Sequence, residues 1–461
     1  MNPETYDLVV IGSGSAARSG AEKAAKEHGA RVAMVERTRW GGSCPNVACR
    51  PTKAYLVAAE LMHDIDDLAA TIGIEVGPAR ANLAKIKARK DAIRSTQEQW
   101  RERLTAVYDI FDGVASFEDA RTVRVGDRRL TGERILIATG SRTAVPPVEG
   151  IEEIDWLDHV SALELTELPE SLLVVGGGAV GLEFGQAFSR FGTKVTIVDA
   201  VDRIAFRDDY DAAAEVAAAF EDEEIEVVLN TFVGSVRQEG DEVVAVLAPR
   251  DGGGERELRV SRILLAAGRV PNVEELEVER AGVEQTKAGI KVDGHLRTTA
   301  EGIWAAGDVT GIAQFTPIAQ YQARLAVEDM FTDRAPEADY EVLPTAIFTD
   351  PELAGVGMTE QEARDAGLDV DVATHPLTAV TRAQYTDSKH GLYKLVFERG
   401  SGRVVGIHVV NRNASDIVQA LAVGLRMGVT VDDLAEIHHT YPSLGEGIKA
   451  AAEQARVAVA A

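Results

Sequence analysis

One strand–turn–helix–strand pattern is written twice in this chain, and beyond Pro344 it gives way to a strand and helix mixture. These two observations predict an α/β protein with two Rossmann-like nucleotide-binding domains, one inserted in the other, followed by a C-terminal α+β domain. A third observation points to what such a fold serves. Both cysteines, Cys44 and Cys49, stand in one Gly- and Pro-bounded segment, GGSCPNVACRPTK from Gly41 to Lys53.

The first copy of the pattern runs from Leu8 to Glu36, LVVIGSGSAARSGAEKAAKEHGARVAMVE, and the second from Leu172 to Asp199, LLVVGGGAVGLEFGQAFSRFGTKVTIVD. Each has a short apolar strand, a glycine-rich turn, a helix ended at a glycine (Gly29, Gly192) and a second strand closing on an acid. That is a βαβ unit with the dinucleotide fingerprint, Gly12-x-Gly14-x-x-Ala17 and then Gly176-x-Gly178-x-x-Gly181. Glycine lets the backbone approach a pyrophosphate, and the helix N-terminus offers it N–H donors and a positive dipole. Glu36 and Asp199 are placed to accept hydrogen bonds from an adenosine ribose.

Between the copies, Thr52–Leu68 and Asn82–Val107 read as two charged, amphipathic helices, and a strand-rich stretch ends at ILIATGS, Ile135–Ser141. After the second copy, strands end at ILLAAGRVPN, Ile263–Asn272, and at GIWAAGDVTG, Gly302–Gly311. A final helix starts at about Glu446. The expected domains are 1–149 and 273–340 for the first nucleotide domain, 150–272 for the inserted one, and 341–461 for the C-terminal one.

Two cysteines close at most one bridge, and a loop this short restrains little of a 461-residue chain. A regular helix would set them about 7.5 Å apart along its axis, whereas bridged Cα atoms lie within about 7 Å. Either the pair is never bridged, or Cys44 lies in the loop just before the first helical turn. Pro45 favours the second, since proline suits the first helical position. Cys44 would then sit at a helix N-terminus, where the dipole increases thiolate character. The competing reading is two ordinary buried cysteines.

Composition bounds the partners. Hydrophobic content of 45% and charged content of 26% are those of a soluble globular protein. The net charge of −26 is spread along the chain, which argues against nucleic acid as a partner. No apolar run approaches a membrane span, and MNPETYD leads straight into a strand with no secretory or transit peptide. With one possible disulfide, the expected compartment is the reducing cytoplasm.

Taken in order, the first fingerprint, the dithiol segment, ATG, the second fingerprint, GRVPN, AAGD and YPSLGEG resemble the flavoprotein disulfide reductases. These form class I of the pyridine nucleotide-disulfide oxidoreductases, the family of lipoamide dehydrogenase, glutathione reductase and mercuric reductase. The resemblance covers essentially the whole chain. It implies FAD at the first fingerprint, Gly12, Gly14, Ala17 and Glu36, with Gly42, Ser43, Thr139 and Gly140 near it. Asp308 would hold the ribityl or phosphate portion. It implies the nicotinamide cofactor at Gly176, Gly178, Gly181 and Asp199, with Gly268 and Arg269. Asp199 favours NADH because it would repel a 2′-phosphate; Arg203 downstream leaves NADPH possible. Lys53 and Glu183 would pair beside the flavin ring. Electrons would pass from nicotinamide through FAD to a Cys44–Cys49 disulfide. Cys49 would be the flavin-proximal sulfur and Cys44 the one exchanging with substrate. The C-terminal domain is implied to be a dimerisation domain, forming a homodimer with Tyr441 and Glu446 facing the partner's Cys44.

One departure limits the substrate. Most relatives carry His-Pro-Thr-x-x-Glu near the end, with the histidine as acid–base catalyst; here the stretch is Tyr441-Pro442-Ser443-Leu444-Gly445-Glu446. Tyrosine, at about 10, is a poor base near neutral pH. His438 and His439 precede it, His439 being better aligned to substitute. A tyrosine there resembles mercuric reductase, although the further cysteine pair near that protein's C-terminus and its N-terminal metal-binding domain are not found in these 461 residues. The expected function is therefore FAD-dependent electron transfer from NAD(P)H to a small disulfide or thiol-bound acceptor, with no resident metal site. The alternatives are a mercuric-reductase-like metal ion reductase, dihydrolipoamide dehydrogenase, and a non-catalytic flavin redox sensor.

Overall fold

The structure, a computed structural model, describes residues 4–459. The chain divides into two compact units. The first comprises the residues through Thr52, Ala88–Ala144 and Gly268–Asp339; the second comprises Lys53–Lys87, Val145–Ala267 and the residues from Tyr340 on.

In the first unit the described residues build a seven-stranded sheet around the first fingerprint. Glu4–Ile11 runs parallel to Val32–Glu36 on one side and to Arg128–Ile137 on the other. Asp109–Asp112 extends the sheet beyond Val32–Glu36, and Ile303–Ala305 pairs with Arg128–Ile137. Strands buried on both faces are continuously apolar: Leu8, Val9 and Val10 are fully buried, as are Ile135, Leu136 and Ile137. The helix Ser15–His28 packs its alanine face, Ala17, Ala21 and Ala24, over this sheet against Ala323, Ala326 and Val327 of the helix Thr316–Phe331.

The second unit carries a four-stranded parallel sheet in the order Glu226–Val228, Lys194–Val198, Ser171–Val175, Arg262–Leu265. A three-stranded antiparallel sheet, Thr231–Glu239 to Arg256–Val260, accompanies it. The C-terminal part is a five-stranded antiparallel sheet ordered Thr345–Ile347, Glu352–Gly357, Val404–Asn411, Leu392–Glu398, Val370–Pro376. The final helix, Glu446–Val459, begins where the sequence predicts. The α/β class with two nucleotide-binding folds and a C-terminal α+β part is the observed one.

Three local expectations are corrected. The helix expected over Thr52–Leu68 starts earlier, as Cys49–His63, and continues through a wider turn at Asp64–Leu68. The segment Asn82–Val107 is two helices, Leu83–Ile93 and Gln97–Thr105. They separate at Thr96, whose hydroxyl accepts the Gln99 N–H while the Gln99 side chain returns to the Thr96 N–H, a capping box that starts a new helix. Cys44 is not in a loop before a long helix. It lies within a separate helical turn, Ser43–Asn46, and Cys49 is the residue that opens the long helix.

Candidate active site

The two fingerprints fold alike, and the likeness reaches further than their sequences. Gly12 and Gly176 have φ of 111° and 114°. A Cβ on either would meet a backbone carbonyl, Ala138 O at 2.3 Å and Ala266 O at 2.5 Å. Those alanines precede Thr139-Gly140 and Ala267-Gly268, so ATG and AAG close the same corner in each copy. The helices that follow, Ser15–His28 and Ala179–Arg190, start at Gly14 and Gly178 with no side-chain cap. Thr96, Asp158, Asp209, Thr359 and Thr430 cap their helices, while Thr316–Phe331 and Ala414–Arg426 also start without a side-chain cap. Uncapped N–H donors behind a glycine turn fit a pyrophosphate. Both closing acids brace their own loops. Glu36 accepts from the Ser13 hydroxyl at 2.6 Å and the Thr38 N–H at 2.9 Å. Asp199 accepts from the Gly177 N–H at 2.6 Å and the Val201 N–H at 3.1 Å. A carboxylate has lone pairs left for a ribose hydroxyl. Arg203 donates to the carbonyls of Phe206 and Asp208 and stacks on Tyr210, tying its charge to its own loop.

Within the first unit several predicted residues converge. Thr139 donates to Asn272 O at 2.7 Å, and Asn272 returns a bond to Thr139 O. The Ser141 hydroxyl donates to Asp308 at 2.6 Å and accepts from Arg269 at 2.8 Å. Gly42 touches the first fingerprint, since a Cβ on it would lie 2.3 Å from Gly14 Cα. Ser13, fully buried, links Glu36 to the Gly41 N–H. Ser43 opens the Cys44 turn and faces solvent.

Cys44 and Cys49 are present as thiols, the reduced form of the disulfide the resemblance implies. Cys49 opens its helix with its sulfur 3.6 Å from the Thr316 hydroxyl. The Cys44 thiol is lowered to about 6. The hydrogen bond from Cys49 is the largest cause; burial opposes it, and Thr316, Arg18 and Arg50 add to it. The neighbouring Cys49 thiol thus leads in lowering the pKa of this sulfur.

In the second unit Lys53, one turn beyond Cys49 on the same helix, is clasped by both Glu183 oxygens at 2.8 and 2.7 Å. Glu183 is buried and also accepts the Phe348 N–H at 3.1 Å. The Phe348 ring lies 4.2 Å from the Lys53 ammonium. At the C-terminal motif, Glu446 opens the last helix and accepts the Ser443 N–H at 2.9 Å. Tyr441 is 70% exposed. His439 is half-buried with Nε2 lacking a partner, and burial first, then the Lys449 charge, push its pKa down. His438 is exposed. Arg18, Trp100 and Thr316 carried no motif that would single them out in the sequence.

Residues 6–323 match the model of the pyridine nucleotide-disulphide oxidoreductases, and residues 343–452 match their dimerisation domain. Mercuric reductase of Staphylococcus aureus is 35% identical over 451 residues, covering 97% of this chain and 82% of that protein. For mercuric reductase of Streptomyces lividans the identity is 36% over 457 residues, with 97% and 96% covered. Dihydrolipoyl dehydrogenase of Thermus scotoductus is 35% identical over 456 residues, with 98% and 97% covered. Among solved structures, the Cu(II) complex of the HOCl-induced flavoprotein disulfide reductase RclA from Escherichia coli aligns with a TM-score of 0.86. Its identity is 30%, and the alignment covers 98% of this chain and 100% of that one. With a fold, fingerprints and dithiol that agree with these matches, the chain is an oxidoreductase that uses FAD and NAD(P)H, and it belongs to class I of the pyridine nucleotide-disulphide oxidoreductase family.

Proposed function

We propose that this enzyme takes two electrons from NADH and delivers them through the Cys44–Cys49 pair to a small disulfide or a thiol-bound acceptor. The observation that carries this reading is the dithiol on two adjoining helical turns, one turn before the Lys53–Glu183 pair, with the Cys44 thiol lowered to about 6 by its hydrogen bond from Cys49. Cys44 attacks one sulfur of the acceptor; the acceptor's S–S bond breaks, a mixed disulfide forms and one thiolate leaves. Cys49 loses its proton to solvent and attacks the Cys44 sulfur of the mixed disulfide, closing the Cys44–Cys49 disulfide and releasing the second thiolate. Two electrons have passed to the acceptor. Bound FAD supplies the two-electron carrier between NADH and that disulfide.

Gly12, Gly14 and Ala17 would cradle its pyrophosphate, Glu36 its adenosine ribose, and Asp308, with Ser141 and Arg269 behind it, its ribityl or phosphate portion. Gly42, Ser43, Thr139 and Gly140 would line the same cofactor. Gly176, Gly178 and Gly181 would do the same for the nicotinamide cofactor, whereas Arg269, expected beside it, donates instead to Ser141 within the first unit. Lys53, aligned by Glu183, would offer a fixed positive charge to the flavin, as the resemblance implies. Asp199 supports NADH over NADPH because its braced carboxylate would meet a 2′-phosphate with like charge. Asp199→Ser is expected to narrow the NADH-over-NADPH ratio of kcat/KM by about tenfold, equivalent to about 1.4 kcal/mol.

The exposure of Tyr441 and the match of residues 343–452 to a dimerisation domain support a homodimer in which this motif meets the partner subunit. Sedimentation of the holoenzyme as an active monomer would sink that arrangement. With tyrosine in the usual place of histidine, protonation of a leaving thiol is weak. Acceptors that leave as stable thiolates are therefore favoured.

An anaerobic NADH titration followed by a panel of disulfides graded by thiol acidity tests this function. Turnover is expected to rise as the leaving thiol becomes more acidic. Flavin reduction without turnover of any acceptor would refute the reading and favour a redox sensor. The second reading, a thiol-bound metal ion as acceptor, is favoured by the mercuric reductase relatives and the Cu(II) complex of the neighbouring fold. Hg(II) and Cu(II) in excess thiol belong on the same panel.

A further inference from the structure

Arg18 is a cation on the first fingerprint helix of a chain of net charge −26. It is half-buried in the first turn of the helix Ser15–His28, and among the described residues no carboxylate pairs with it. Its Nε is buried without an acceptor. A charge taken out of water without a partner is costly, so such a group marks a place where negative charge belongs.

Its seat is well defined. The guanidinium lies 4.8 Å from the ring centroid of Trp100, whose face attracts a cation. Trp100 is pressed against Gly41, where a Cβ would come within 2.5 Å of the indole. The next residue, Gly42, touches Gly14, and Gly14 O accepts the Arg18 N–H at 2.9 Å. The first turn of the helix, the Trp100 ring and the Gly41–Gly42 turn therefore pack as one body, and Cys44 follows two residues later. Among the charges acting on Arg18, that of Cys44 comes first and Glu22 second. Among those acting on Cys44, Arg18 comes ahead of Arg50.

We propose that Arg18, stacked on Trp100, is the counter-charge of the Cys44 thiolate and a positioning residue for thiol–disulfide exchange. This rests on reading Cys44 as the exchanging sulfur. Arginine stays charged at every working pH, so it favours the thiolate while donating no proton to a leaving group. Arg50 is exposed and readily screened, whereas half-buried Arg18 is screened less.

The test reduces the holoenzyme anaerobically with NADH, alkylates it with iodoacetamide across pH, and follows Cys44 modification by mass spectrometry. Arg18→Gln is expected to raise the Cys44 midpoint by roughly one pH unit, or about tenfold less thiolate below it. Arg18→Lys should stay near the native midpoint, and the difference should persist at about 1 M salt, where the Debye length is about 3 Å. An unmoved midpoint in Arg18→Gln with its flavin spectrum intact overturns the proposal. So does loss of FAD as its only effect, which would make Arg18 a cofactor counter-ion. A raised KM for anionic disulfides at an unchanged midpoint also overturns it. Alkylation needs no acceptor, so failure to find a turned-over substrate counts against the proposed function and leaves this reading standing.

Discussion

Cys44 shows how the surroundings of one sulfur shift its acidity. The hydrogen bond from Cys49 exceeds the penalty of burial, and Thr316 and two arginines act in the same direction. Because the thiol is lowered to about 6, the thiolate is present above that pH and is lost as pH falls through it. Acceptor turnover should therefore hold from about pH 7 upward and fall about tenfold per unit well below pH 6, read as kcat/KM against pH. Cys44→Ser and Cys49→Ser should each reduce acceptor turnover to background while NADH still bleaches the flavin. Lys53 illustrates the opposite case, a cation held by two carboxylate oxygens and an aromatic face. Glu183→Gln removes the charge partner and should slow flavin reduction in stopped flow without displacing FAD.

The two fingerprint elements share backbone geometry yet differ in tolerance at their third position. A Cβ on Gly181 would lie 1.8 Å from Gly176 O, a backbone atom that cannot swing away. The first copy holds Ala17 at this position, fully buried. Gly181→Ala should therefore spread the second loop, costing about 1–3 kcal/mol. It should abolish flavin reduction by NADH while FAD content and the flavin spectrum stay native. The fingerprints and the final helix were legible in the sequence because glycine spacing and apolar periodicity report local backbone demands. The break at Thr96 was not legible, because its capping box sits inside a continuous run of charged, helix-favouring residues. Cys44 was misplaced for a related reason: Pro45 signals a helix start but not that the helix ends one residue later, at Asn46.

At the scale of the molecule, each unit is stabilised by partners distant in sequence. In the second unit Lys394 is 1% exposed and meets Asp209, Asp211 and Glu360 within 3.1 Å. Burial disfavours its charge, but the bonds to Asp211 and Glu360 and the charge of Asp209 outweigh that and raise its pKa above 10.5. That stabilisation is present below about pH 10.5 and lost as pH rises through the folded value. Lys394→Met, which strands buried Asp209, should cost about 3–5 kcal/mol. His408, fully buried with Nε2 3.0 Å from Met358 O, works on the acid side. Burial holds its pKa below 6.5 although Asp209 opposes the shift. The unfolded chain then takes up a proton that the folded one refuses, so stability falls as pH drops below about 6.5. Calorimetry should find the highest Tm between about pH 7 and 10, and His408→Gln should flatten the decline between about pH 6.5 and 5.

The sequence by itself determined the α/β class, the paired nucleotide sites, the dithiol and the tyrosine where a histidine is usual. Each of these is written in neighbouring residues whose spacing answers to backbone geometry. Tertiary structure alone decided which groups act on the sulfurs. Arg18, Cys44, Trp100 and Thr316 come from separate stretches of the first unit, and Glu183 and Phe348 reach Lys53 from separate stretches of the second. Charge and hydrogen bonding act through space, and no local pattern records which distant side chains the packing of the core will bring within a few ångströms.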